Sequence, residues 1–226
     1  MSKTRLMTAA PTWVTVGLAG LLLTGCGSAA PGVAVKVGDE ELTVRHVDAV
    51  TANYCTAVGD LESEVPMSFV RQYVVQLLTL RSQASQMAEE YGVEAGSSYL
   101  NDVAQRQGTA GTQPEEVRDD YVELASTTAY AQDIVDQIGR ITLEEEGITD
   151  VTPEQATEAG IDVFNQWPGA NGIEIDPRYG LEVVDGVLTP VDTNVSVAVG
   201  ETAKAGLGTE PDPAFARTLP SNHRCG

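Results

Sequence analysis

The segment Val33-Ala34-Val35-Lys36-Val37 alternates and is β-branched, which predicts a strand. Gly38-Asp39 is a turn signal, and Glu41-Leu42 extends a second short strand. Thr43 is placed to cap a helix to about Val58, with Val44, Val47, Val50 (or Ala49) and Tyr54 on one face. Pro66 opens a long helix to Tyr91, in which Phe69/Val70, Tyr73/Val74, Leu77/Leu78, Ala84 and Ala88 recur at helical spacing. Gly92 is its natural stop. Ser97 or Ser98 begins a shorter helix to about Gln107. Thr112-Gln113-Pro114-Glu115 reads as a capping box. The helix after it carries the stripe Val117, Tyr121, Leu124, Thr128, Ala131, Val135 and Ile138, and is expected to end at Gly139. A second capping box, Thr152-Pro153-Glu154-Gln155, starts a helix to about Trp167, which Pro168 to Gly172 should stop.

From Ile173 the period changes from helical to alternating. Ile173-Glu174-Ile175 and Val195–Val199 read as strands, and Leu181–Val184 with Val187-Leu188 reads as a hairpin turning at Asp185-Gly186. After Gly200 the chain is rich in Gly, Pro, Ala and Thr, which predicts an extended tail over residues 201–226. Strand, then helices, then strands defines an α+β fold: a mainly helical body with a small sheet joining N-terminal and C-terminal strands. Val33–Val37 is too short to stand alone and is expected to pair with at least one of the later strands.

The first residues follow another logic. Lys3 and Arg5 precede an apolar run, Val14 to Leu23, of about ten residues. That is half of the roughly 20 needed to span a bilayer, and it has the layout of a secretory signal. Leu23-Thr24-Gly25-Cys26 resembles the lipobox of bacterial lipoproteins. The resemblance implies removal of residues 1–25 and a diacylglycerol on Cys26. Residues 26–32 then form a lipid-anchored tether, and the chain sits on the extracytoplasmic face of the cell membrane with that anchor as its membrane contact.

Charge and cysteine content narrow the partners. With 33 acids against 13 bases the formal charge is −20, a surface that repels nucleic acid and anionic head groups and disfavours both as partners. With Cys26 assigned to lipid, Cys55 and Cys225 remain, and in an oxidising compartment they are expected to pair as a disulfide. No metal is expected: there is no CxxC, and His46 and His223 lack ligand-spaced partners. The acidic loop Gly59 to Glu64 lacks a calcium-loop pattern. No GxSxG, phosphate-binding loop or GxGxxG occurs, and acids such as Glu144, Glu145, Glu146, Asp150 and Asp176 carry no specific pairing signal. No cofactor and no catalytic residue is assigned.

The stretch Val35-Lys36-Val37-Gly38-Asp39-Glu40-Glu41-Leu42-Thr43, the Tyr91-Gly92-Val93 break, the Gly147-Ile148-Thr149 region and Ile175-Asp176-Pro177-Arg178-Tyr179-Gly180 are similar to segments of SurA-like and PrsA-like folding factors. The resemblance covers residues 33–200 and implies their N-terminal, chaperone-type domain. The roughly 90 residues of a parvulin isomerase domain have no room between Gly139 and Ile173. The family therefore implies a non-catalytic chaperone-like or scaffold lipoprotein for unfolded or secreted polypeptides. Two alternatives are a peptidyl-prolyl isomerase and a binding subunit of an envelope assembly. The apolar helix face expected to meet clients comprises Phe69, Tyr73, Leu77, Tyr121 and Leu124.

Overall fold

The computed structural model describes residues 30–59, 64–191, 200, 204 and 210–226. Cys26, positions 60–63 of the acidic loop and the expected strand Val195–Val199 lie outside them. The order is β1 (Val33–Val37), β2 (Glu40–Thr43), α1 (Val44–Val58), β3 (Val65–Pro66), α2 (Met67–Tyr91), α3 (Ser97–Thr109), α4 (Glu115–Glu145), α5 (Pro153–Asn171), β4 (Ile173–Ile175), β5 (Leu181–Val184), β6 (Val187–Pro190), α6 (Pro213–Ala216) and β7 (Arg224–Cys225). A 3-10 turn at Pro177–Tyr179 links β4 to β5. The fold is α+β and mainly helical, as the pattern predicts.

β1 is the middle strand of a three-stranded antiparallel sheet ordered β2-β1-β4. Val35 faces Ile175 and Val37 faces Ile173 across one ladder, so the sheet does join the two halves of the chain. Ala34, Val35 and Val37 are fully buried against α2, together with Val74, Val75 and Met87. β5 and β6 form a separate hairpin. Its turn residues Asp185 (φ 51°) and Gly186 (φ 81°) both take the left-handed conformation of a tight two-residue turn.

The caps explain why the early boundaries are legible. The Thr43 side chain accepts from His46 N, and Gly92 closes α2 in the left-handed region. Thr152 and Gln155 form both bonds of a capping box on α5.

Four expectations need correction. The box at Thr112 does not form; Pro114 is the N-cap of α4 and no side chain caps it. α4 does not end at Gly139 but continues to Glu145, because that glycine is a contact and not a terminator. A Cβ on Gly139 would lie 1.8 Å from Ala156 O, and one on Gly160 would lie 2.0 Å from Val135 O. The two glycines let the backbones of α4 and α5 touch. α5 runs through Pro168 to Asn171. Proline cannot donate to Phe164 O, four residues back. The buried Gln83 side chain of α2 donates to that carbonyl instead, at 2.7 Å.

The fourth correction concerns the tail. Within it Asp212 caps α6, Ala216 is fully buried, and β7 pairs with β3, Val65 opposite Cys225. Arg224 Nη1 meets Glu64 Oε2 at 3.2 Å.

Candidate functional site

The expected client face divides in two. Leu124 is 1% exposed and Leu77 8%, so both belong to the core and not to a contact surface. Their positions in the helical repeat point them inward, between α2 and α4. Tyr73 is 39% exposed, and Phe69 and Tyr121 are half-buried. Tyr73 and Tyr121 do meet in space, through a residue absent from the expected face. Tyr54 of α1 lies 5.9 Å from the Tyr73 ring and 6.2 Å from the Tyr121 ring, stacked on the latter. The tyrosine cluster thus spans α1, α2 and α4. Asn53 fixes two of these helices by donating to Asp120 Oδ2 at 2.7 Å.

Burial, with the neighbouring Tyr73 and Tyr121, pushes the Tyr54 hydroxyl up to about 12, so it stays protonated at any physiological pH. Arg106 of α3 borders it and is held by Asp102 at 2.7 Å. A second aromatic group lies beside α3. Arg81 stacks 4.0 Å over Tyr130 and 5.4 Å from Tyr99, and its Nη1 donates to Tyr99 Oη at 3.1 Å. α3 buries none of its residues completely. Besides Tyr99, the segment entering it is held by Gly96 N donating to Asp133 and Gln137 Nε2 donating to Glu94 O.

Two recesses bear on the site. One, of about 640 Å³, is lined by Asp39, Glu40, Gln86, Glu89, Glu90, Trp167 and Asn171. The Trp167 indole donates to Glu90 Oε2 at 3.2 Å, and Gln86 donates to Val37 O at 2.8 Å. Another, of about 280 Å³, is lined by Val44, Asp48, Ser68, Arg71, Arg178 and Tyr179. Arg71 pairs there with Asp48, and Arg178 with Asp176, each at 2.8 Å. His46 and His223 are exposed. Among the described residues no group of three or more His, Cys, Asp or Glu side chains is placed to hold a metal. Nor is any helix among them long and apolar enough to cross a membrane.

Cys55 of α1 and Cys225 of β7 are joined, with Cα atoms 5.4 Å apart and a sequence separation of 170. In the chain-entropy account such a closure contributes up to about 5 kcal/mol. Reduction, or Cys225→Ser, is therefore expected to lower the melting temperature and to loosen α6 and β7 first. Differential alkylation with peptide mapping checks the pairing: both thiols labelling before reductant is added would reject it.

No protein-family model, curated protein or solved structure matches this chain.

Proposed function

We propose that this chain is an extracytoplasmic lipoprotein, anchored through Cys26, that binds unfolded or secreted polypeptides without catalysing a reaction on them. The observation that carries the reading is the half-exposed cluster Tyr54, Tyr73 and Tyr121. Its three rings come from three different helices, meet one another and are partly open to solvent. Tyrosines in such a setting offer contact area and hydroxyl hydrogen bonding at low entropic cost, and they accept many sequences. The acidic recess beside Trp167 adds a preference for basic segments. That recess is broad and open, a shape that suits an extended segment better than an enclosed small molecule. The similarity of residues 33–200 to the chaperone-type domain of SurA-like and PrsA-like factors points the same way.

The test is suppression of aggregation of a reduced, alkylated basic protein. Tyr73→Ala with Tyr121→Ala is expected to weaken the effect about tenfold; each loses a ring pair with Tyr54 worth about 0.5–1.5 kcal/mol, so a melt run alongside checks that the variant stays folded. Equal suppression by the double variant would remove the tyrosine cluster from the function. A prolyl tetrapeptide assay is expected to show no acceleration; acceleration would establish the isomerase alternative. In cells, Cys26→Ser is expected to move the protein from the membrane fraction to the soluble fraction, and persistence in the pellet would overturn the anchor.

A further inference from the structure

β1 and α2 run side by side and give the molecule two unlike ends. At one end Gln72 of α2 donates to Tyr179 O and Gly180 O, each at 3.0 Å. Fourteen residues later, about 21 Å along the helix, Gln86 reaches Val37 O at the other end. The chain enters the fold at the first end. Gly32 O accepts from Val44 N, Val33 pairs with Thr43, and Ala34 O accepts from Asp176 N.

Around that point stand Arg45, His46, Arg71 and Arg178. Asp48 and Asp176 neutralise Arg71 and Arg178, whereas exposed Arg45 makes no ion pair among the described residues. α1 and α2 also both begin here, so their N-terminal partial charges have the same sign. At the opposite end Asp39, Glu40, Glu89 and Glu90 gather around Trp167 with no basic partner among the described residues. In a chain of formal charge −20, this is a strong polarity along one axis.

Resting on the lipoprotein reading above, we infer that the end bearing Arg45, His46 and Arg178 docks on anionic phospholipid headgroups. The acidic recess is then held away from the membrane, toward clients. Two observations select this occupant. Residues 26–32, fully extended, reach at most about 24 Å, so an anchor at Cys26 keeps this end near the bilayer. A chain of charge −20 is repelled by an anionic surface as a whole, but least at the end where Arg45 is unpaired and Arg71 and Arg178 are neutralised, so a domain held at the bilayer by its anchor turns that end toward the headgroups.

The anchor can be supplied chemically, which separates this inference from the question of lipidation in the cell. With Cys55 and Cys225 joined, Cys26 is the one free thiol of residues 26–226, a chain that contains every described residue. It can be coupled to a maleimide phospholipid in vesicles carrying dansyl-labelled headgroups. Trp167 is the sole tryptophan of that chain and marks the acidic end; Ala49→Trp, at an exposed position one turn past Arg45, adds a reporter toward the other end and leaves the docking residues in place.

In phosphatidylglycerol vesicles the added tryptophan is expected to transfer energy to dansyl at least threefold more efficiently than Trp167. Arg45→Glu with Arg178→Glu is expected to raise transfer from Trp167 at least twofold there. It should change nothing in phosphatidylcholine vesicles, and high salt should mimic it in the anionic ones. Equal transfer from the two reporters in phosphatidylglycerol overturns the inference. So does charge reversal without effect in those vesicles, because the tether alone then places the domain. Failure of Cys26→Ser to release the protein in cells bears on native lipidation and not on these outcomes.

Discussion

Gly139→Ala is expected to cost at least about 3 kcal/mol, a fall in melting temperature of roughly 6–12 °C for a chain of this size. The added methyl would sit 1.8 Å from Ala156 O and 2.8 Å from Ala156 C, and both are backbone atoms of α5. A flexible side chain can swing away from an intruding methyl, but a helix backbone has to move as a body. α5 would then lift from α4 and carry β4 with it, since only Gly172 separates the two elements. The same logic applies at Gly160, whose Cβ would meet Val135 O at 2.0 Å. Gly169→Ala, also on α5, is the control. Nothing lies within 4 Å of its Cβ, so the substitution should be neutral or stabilise by up to about 1 kcal/mol. Thermal melts of the three variants decide the matter. A Gly139→Ala protein melting like the parent would mean that α4 and α5 do not touch at these glycines.

Truncation after Gly172 is expected to cause aggregation and loss of the cooperative melt. The cut removes β4, and with it the ladder on one side of β1. It also removes Tyr179 and Leu181 from the core, and Cys225 from its bond to Cys55. The sheet falls to the two strands β1 and β2, which are marginal without a third. The backbone of β1 along Val35 to Val37 becomes an unpaired edge beside buried valines, a template for intermolecular pairing. Size-exclusion chromatography with light scattering reads the outcome. A monomer that melts like the intact chain would show that the body does not depend on this closure.

These two expectations come from features with opposite visibility in the sequence. The pairing of β1 with β4 is legible, because alternation is a local signal and short strands need partners. Thr43, Gly92 and Asp185-Gly186 are legible for the same reason: each satisfies or frees backbone within a few residues of itself. Gly139 and Pro168 mislead because they are local terminators by type and tertiary contacts in fact. One admits a neighbouring backbone. The other loses a hydrogen bond that Gln83, 85 residues earlier, restores.

The tyrosine cluster is half legible on the same grounds. Tyr73 and Tyr121 stand out on their own helices, and Tyr54 shows helical spacing with Val47 and Val50. Nothing in three separate periodicities states that the edges of those helices converge. The stripe on α4 likewise misplaces Thr128, which is exposed, for Thr127 and Ile134, which are fully buried. A heptad-like count drifts against the 3.6-residue turn over 31 residues.

The central place of β1 has a mechanical consequence. A pull on the N-terminal segment enters the sheet at Val33, along the axis of a strand bonded to β2 on one side and β4 on the other. The two antiparallel ladders are then loaded in shear, with their hydrogen bonds strained together and not one after another as in unzipping an edge. Gln86, bonded to Val37 O at the far end of the strand, passes part of that load into α2. The point at which the chain enters its fold is thus also where the fold is braced against being drawn out.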